Sequence, residues 1–236
     1  MSFLKAEWRK LAIFNYEVDP SLLEKHIPFG TELDLWQGRC YISLVGFMFV
    51  NTKVLGIGVP FHKDFEEVNL RFYVKRFVNG EWRRGVVFIK EIVPKTAITL
   101  VANTLYNENY ETMPMEHTWE ETEDSLSAVY KWKKGGKWQS VQVKGDRPAQ
   151  NLQPDSETEF ITEHYWGYAR YNESKSIEYE VTHPKWKIYE VSGYDVSVDY
   201  KLVYGQEFEF LNTAEPASVM FAEGSEITVE SKQTLE

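Results

Sequence analysis

Four polar residues near Asn79-Gly80 have the side chains that acid–base chemistry requires, namely Glu67, Asn69, Arg71 and Lys90. A lysine held between an arginine and a glutamate in a closed cavity is a candidate acid, base or amine nucleophile. Arginine suits a ligand carboxylate because its planar guanidinium can donate two parallel hydrogen bonds. The candidate catalytic residues are therefore Lys90 as amine or acid, Glu67 as base or orienting carboxylate, and Arg71 as anchor.

These side chains share one face only if the chain folds into a β-hairpin with a two-residue turn. The segments 66–77 and 82–93 have strand-type sequences, and Asn79-Gly80 between them supplies the positive φ angles of a type I′ turn. Counting back from that turn pairs Asn69 with Lys90. The same count gives two further pairs, Arg71 with Phe88 and Glu67 with Ile92.

The polar face of this hairpin has two interpretations. It is either an outer face in water, with ion pairs each worth about 0–1 kcal/mol, or the lining of a cavity in which burial shifts pKa values. The opposite face is apolar, with Glu91 near its end. A three-residue loop would change the register and separate the cluster.

Short strand-type segments dominate the rest of the chain and must position these side chains. The run 40–50 is apolar on both faces, which is typical of a strand that is covered on both sides. The polar segment 145–156 is short and strands follow it, so we interpret it as a loop inside a single domain over 1–236. Further strands are predicted at 11–17, 32–35, 166–171, 177–181, 186–191 and 218–223, and a second hairpin at 127–144 around Gly135-Gly136. Helices are predicted at 20–25, 95–107 and 196–204.

Composition and charge argue against several classes of function. The 236 residues include 26 Lys and Arg against 36 Asp and Glu, a formal net charge of −10, which argues against nucleic acid or an anionic membrane as the main partner. Cys40 is the one cysteine, and the chain has neither a signal peptide nor an apolar run of about 18 residues, so we expect a cytoplasmic protein. The five histidines lack a metal-binding spacing and no nucleotide fingerprint is complete, so we expect no metal and no cofactor. A homo-oligomer is compatible with the sequence but has no specific signal in it.

Long stretches of the chain resemble a known family. They are VDPSLLEKHIPFGTELDLWQGRCYISLVGFMF, FEEVNLRFYV, RRGVVFIKEIVP, EFITEHYWGY and HPKW, and together they span nearly the whole sequence. The pattern is similar to the YqjF-like bacterial family of the acetoacetate decarboxylase-like superfamily. The resemblance implies a mainly β (α+β) fold, a closed cone-like antiparallel β-barrel with a few short helices around a small-molecule cavity. It also implies that Glu67, at the head of its strand, faces inward.

One departure from the decarboxylases bears on the chemistry. Those enzymes carry adjacent lysines in the loop after a helix, and one of them forms a Schiff base with the keto acid. The comparable loop here, 107–115 (NENYETMPM), contains no lysine, and Tyr110 and Glu111 stand about where the pair would be. We therefore do not expect the decarboxylase reaction, although Lys90 could supply an amine from another wall.

Three functions remain open at this point. The first is an enzyme that acts on a small organic acid or carbonyl compound, and the second is a non-catalytic protein that binds a small ligand. The third is a barrel with a filled interior that acts through its surface. His164 and Trp166, in a stretch dense in aromatics, are either wall residues or pocket residues. The candidate substrate-binding residues are Asn69, Tyr106, Tyr110, His164 and Trp166.

Overall fold

The computed structural model describes residues 2–236, which form fourteen β-strands and three α-helices. The strands are β1 (Ser2–Val18), β2 (Glu32–Leu33), β3 (Cys40–Val54), β4 (Phe65–Val78), β5 (Glu81–Val93), β6 (Tyr110–Thr112), β7 (Met115–Glu121), β8 (Ser125–Lys134), β9 (Lys137–Asn151), β10 (Trp166–Asn172), β11 (Lys175–Thr182), β12 (Lys187–Ser197), β13 (Ser218–Glu230) and β14 (Gln233–Leu235). The helices are α1 (Thr96–Tyr106), α2 (Glu157–Thr162) and α3 (Tyr200–Tyr204), with 3₁₀ turns at Pro20–Leu22, Glu24–His26 and Gln206–Asn212.

Seven strands close into a barrel. Their order is β10, β5, β4, β3, β1, β13 and β11, and the ring closes because β11 pairs with both β10 and β13. All neighbours run antiparallel except β5 and β10, which are parallel where Trp166 lies opposite Gly85. The predicted closed, mainly β fold with a few short helices is therefore confirmed.

The remaining large strands form a second layer outside the barrel. From β13 the sheet continues through β12, β9, β8 and β7. Tyr130 of β8 packs so closely on β3 that a Cβ added to Gly46 would lie 2.8 Å from the Tyr130 ring. A large apolar core therefore fills the space between the barrel wall and this outer layer.

Strand β3 shows how the wall is covered on both faces, as its sequence predicts. All residues of 40–49 are buried. Ile42 and Leu44 belong to the core against the outer layer, whereas Tyr41 and Val45 belong to a separate core inside the barrel. A wall strand of this kind needs apolar residues at almost every position, because neither face meets water.

The Asn79-Gly80 turn is as predicted, but the register of its hairpin changes partway along. Both turn residues have positive φ, and Arg71 lies opposite Phe88. Beyond that pair the register shifts, because Lys90 faces Leu70 and Ile89 has no partner on β4. The predicted pairing of Lys90 with Asn69 is wrong.

The shift is a β-bulge at Ile89. It changes the face of the hairpin to which the side chains of β5 beyond Ile89 point. Glu91 now lies opposite Asn69, and Ile92 lies opposite Val68 instead of Glu67. Glu91 therefore joins the polar face, which corrects its predicted place on the apolar face. Lys90 moves away from that face by the same single-residue shift.

The segment after α1 satisfies the backbone groups at this bulge. Asn107 ends α1 in the left-handed conformation (φ 56°). Asn109 then donates from Nδ2 to the carbonyl of Ile89 over 2.6 Å and accepts from the backbone N–H of Glu91 over 3.1 Å. These hydrogen bonds stabilise the bulge, because they pair the Ile89 carbonyl and the Glu91 N–H, which would otherwise lack partners.

Other local predictions hold with changed boundaries. Asp19 caps its turn by accepting from the Ser21 N–H over 2.9 Å, but the segment 20–25 forms two 3₁₀ turns in place of one helix. The helix predicted at 95–107 is α1. The predicted loop at 145–156 is partly strand, since β9 continues to Asn151.

Packing of the outer layer on the barrel is tested by Gly46→Ala. We expect the added methyl to clash with the buried Tyr130 ring and to lower the free energy of unfolding by about 1–3 kcal/mol. Urea denaturation measures the loss. Gly193→Ala is the matched control, because a Cβ there meets nothing within 4 Å, and equal stabilities of the two variants would contradict the packing.

Candidate functional site

The barrel encloses a cavity of about 300 Å³. Its wall is largely aromatic and aliphatic, and α1 and the segment 52–65 contribute to the lining. Polar side chains are therefore a minority of the lining. Apolar lining residues include Trp8, Phe49, Phe65, Phe88, Ile98, Ile161, Trp166 and Trp186.

Glu67 is the central carboxyl group of the cavity. It is 2% exposed, and its two oxygens accept from Asn69 Nδ2 over 2.9 Å and from the Tyr110 hydroxyl over 3.0 Å. Burial raises the pKa of Glu67 to about 7, against the lowering effect of those two hydrogen bonds and of the Arg71 charge. The group can therefore gain or lose a proton near neutral pH.

Two further carboxyl groups line the same cavity. Glu91 is 2% exposed, and burial, together with repulsion from Glu108 and Glu67, raises its pKa well above the usual value. Glu108 accepts from the Tyr179 hydroxyl over 2.7 Å, and burial raises its pKa to about 8. Three acidic groups thus share one low-dielectric space.

Arg71 supplies positive charge to this cavity. Its side chain lines the cavity and the residue is 7% exposed, yet its Nε has no hydrogen-bond partner. Within residues 2–236, no carboxylate forms a salt bridge with it; its guanidinium lies 5.8 Å from the centre of the Tyr73 ring. A buried guanidinium without a carboxylate partner in the protein is costly, and the carboxylate of a ligand could pair with it.

Lys90 does not lie with these groups. Its Nζ donates to the Val203 carbonyl over 2.7 Å and to Glu111 over 3.0 Å. It lines a second, polar cavity, whose lining shares Phe88 and Glu108 with the first but does not include Glu67. The expectation that Lys90 faces the same space as Glu67 is therefore wrong, and the bulge at Ile89 is the reason.

The predicted substrate-binding residues fall into two groups. Tyr106, Tyr110, His164 and Trp166 line the cavity. Asn69 is buried and acts behind it, through its hydrogen bond to Glu67.

His164 is neutral in this environment. Burial lowers its pKa to about 4. Its Nε2 lies 3.3 Å from both Asp34 Oδ2 and Arg84 Nη2, and its Nδ1 is buried without a partner. The ring therefore offers a polar nitrogen to the cavity and little capacity to act as an acid at neutral pH.

Sequence reasoning missed Glu91, Glu108 and Tyr179. Glu91 was visible in the hairpin but was assigned to the wrong face, since nothing in the local sequence marks the bulge. Glu108 and Tyr179 come from the segment after α1 and from β11, and only the closed ring brings them to the hairpin. Even when a closed barrel is assumed, the sequence does not show whether the Glu108 side chain points into the cavity.

The chain resembles known proteins in sequence and in fold. Residues 5–226 match a family described as an uncharacterized conserved protein, DUF2071. The chain belongs to this family. A relative, the uncharacterized protein YqjF of Bacillus subtilis (strain 168), is 25% identical over 226 residues, which are 92% of this chain and 90% of YqjF.

Solved structures support the fold. The chain is similar to acetoacetate decarboxylase from Legionella pneumophila with a TM-score of 0.65 and 13% identity, covering 99% of this chain and 87% of that one. It is also similar to the enduracididine biosynthesis enzyme MppR complexed with pyruvate, with a TM-score of 0.64 and 11% identity, covering 100% and 91%. These likenesses confirm the predicted acetoacetate decarboxylase-like fold.

Two features are absent from residues 2–236. No group of three or more His, Cys, Asp or Glu side chains in this part of the chain is placed to hold a metal ion. None of its helices has the length and apolar character needed to cross a membrane.

The raised pKa of Glu67 predicts a pH-dependent stability difference between the wild type and Glu67→Gln. In the unfolded chain the carboxyl ionises near its usual 4.5, whereas the folded protein keeps the proton until about pH 7. The stabilising contribution is therefore complete below pH 4.5 and is lost as the pH rises through 7. Relative to the variant, the wild type should lose on the order of 1–3 kcal/mol between pH 5 and 8.

Urea denaturation at several pH values measures this difference. Glu173→Gln is the control, because the Glu173 side chain is 94% exposed. A stability difference for Glu67→Gln that does not change with pH would contradict the assignment.

Proposed function

We propose that this protein binds a small organic acid or carbonyl compound in the barrel cavity, with the ligand's carboxylate on Arg71. The observation that carries the proposal is a buried arginine in a largely apolar cavity, with an unpaired Nε and no salt-bridge partner among the described residues. A ligand carboxylate would accept its hydrogen bonds and neutralise its charge. The aromatic wall would bury the rest of a small ligand.

The structural neighbours support the ligand class. One of them, MppR, was solved in complex with pyruvate, a small keto acid. The likeness reaches this chain only through the fold, so Arg71 is argued from its own surroundings. Because the described lining contains no lysine, Schiff-base chemistry is not part of the proposal.

A substitution of the anchor tests binding. We expect Arg71→Gln to weaken the binding of 4-oxopentanoate, a small keto acid, by about 10- to 100-fold, because a charge-assisted hydrogen bond contributes about 1.5–3 kcal/mol. Calorimetric titration measures the dissociation constant. Arg147→Gln is the matched control, since that arginine is exposed and pairs with Glu121.

The result could contradict the proposal in two ways. Equal affinities of the wild type and Arg71→Gln would remove the anchor. A failure of every small carboxylate to bind the wild type would remove the site itself. The thermal unfolding temperature of Arg71→Gln should equal or exceed that of the wild type, because the substitution deletes an unpaired buried charge.

Proton transfer is a second candidate function, and the pKa of Glu67 near 7 favours it. The Glu67 carboxylate would take a proton from the carbon next to the ligand's carbonyl group and return it, with Tyr110 holding the carboxyl oxygen. The alternative, which needs no chemistry, is a binding protein that holds its ligand unchanged.

Deuterium exchange separates these alternatives. We expect 4-oxopentanoate in D₂O to gain deuterium beside its carbonyl faster with the wild type than with Glu67→Gln, as measured by NMR. Binding of the ligand by both proteins is the control. If the bound ligand exchanges deuterium only at the uncatalysed rate, proton transfer is excluded and the protein is a non-catalytic binding protein.

We propose a single domain over 1–236 and a cytoplasmic location. A homo-oligomer stays a prediction without a specific interface.

A further inference from the structure

The charges of the cavity are unequal. Three carboxyl groups, Glu67, Glu91 and Glu108, share its lining with Arg71 as the single arginine or lysine. If a ligand carboxylate binds Arg71, it neutralises the positive charge that also offsets the negative charge of Glu67. The acidic side of the cavity then has no counter-charge from the described residues that line it.

Glu91 marks the place where a counter-charge is missing. Its Oε2 is buried without a hydrogen-bond partner, and the residue is only 2% exposed. The nearby Tyr110 hydroxyl favours the ionised form of Glu91 but donates its hydrogen bond to Glu67 over 3.0 Å. An unpaired buried carboxyl oxygen is unfavourable, and a hydrogen-bond donor from a ligand would satisfy it. Asn69 on the neighbouring strand cannot do so, because its amide nitrogen already donates to Glu67.

The distance to the anchor suits one ligand with two charged ends. Glu91 lies directly opposite Asn69 on β4, and Arg71 is two residues further along the same face. Diagonal neighbours of this kind have Cα atoms roughly 7–8 Å apart. The two ends of a small linear molecule can therefore reach both side chains.

We propose that the ligand of this cavity carries a protonated amine as well as a carboxylate, with the amine bound by Glu91 and Glu108 opposite Arg71. The inference rests on the proposed binding of a carboxylate and narrows its class to zwitterions. An ammonium group suits this position because it provides three donors and a positive charge that stabilises the ionised carboxylates, whereas a neutral donor provides no charge.

Several titratable groups face this position from the surrounding elements. They are Glu67 and Arg71 on β4, Glu91 on β5, Glu108 after α1, Tyr110 on β6 and Tyr179 on β11. The acidic groups among them retain protons near neutral pH when no cation is present. Binding of the amine should therefore release protons, and binding of the plain acid should not.

Matched ligands test the inference. The probes are 4-aminobutyrate, 5-aminopentanoate and 6-aminohexanoate, each compared with the corresponding unsubstituted acid and with the ω-hydroxy acid. Calorimetric titration at pH 7.5 in phosphate and in Tris gives the affinity and the proton release. We expect the best amino acid to bind at least tenfold more tightly than its unsubstituted partner, with protons released to the buffer.

Substitutions identify the residues that are responsible for the difference in affinity between the amino and the unsubstituted acids. Glu91→Gln should bring the affinity ratio of amino to unsubstituted acid close to one, and Glu108→Gln should reduce it. Arg71→Gln should weaken the binding of both the amino acid and the unsubstituted acid of each pair. Glu173→Gln, at an exposed site, is the control and should preserve the ratio.

Each alternative outcome is decisive. Amino acids that bind no better than unsubstituted acids at every chain length overturn the zwitterion, while Arg71-dependent binding of the acids would preserve the proposed function. Hydroxy acids that match the amino acids also overturn it, in favour of a neutral donor. If none of the probes binds, both proposals fail.

Discussion

The extra residue at Ile89 controls which charges face the cavity of this barrel. Without it, β5 would present Lys90 beside Glu67 and Arg71, and the interior would hold two cations and one carboxyl group on the hairpin. With it, Glu91 takes that direction and Lys90 pairs with Glu111 and the Val203 carbonyl elsewhere. One backbone irregularity therefore reverses the charge balance of the site.

The same region ties the bulge to the rest of the acidic cluster. Asn109 bonds to the backbone on both sides of Lys90, so the chain after α1 is held against β5. That attachment places Glu108 and Tyr110 on either side of it, and both side chains reach the cavity. The bulge and the carboxyl cluster are therefore parts of one arrangement, which Asn109 connects.

Much of this could be predicted from the sequence, because it depends on local chemistry. The Asn79-Gly80 turn requires positive φ angles, and the long apolar run of β3 requires cover on both faces; both predictions hold. The family resemblance added the closed barrel and the inward direction of Glu67. The bulge could not be predicted, because the hydrogen bonds that hold it come from Asn109, which is twenty residues away along the chain and follows α1.

The two layers of the fold also affect how ligand preference could change among relatives. Strands β1, β3 and β4 carry residues packed in a core on each face, so most substitutions there disturb one core or the other. Helix α1 and the segment 52–65 reach the cavity on one side and expose Leu100, Ile57 and Phe61 to solvent on the other. Selectivity can therefore diverge through these two peripheral segments while the architecture persists, which separates the evolution of specificity from that of stability.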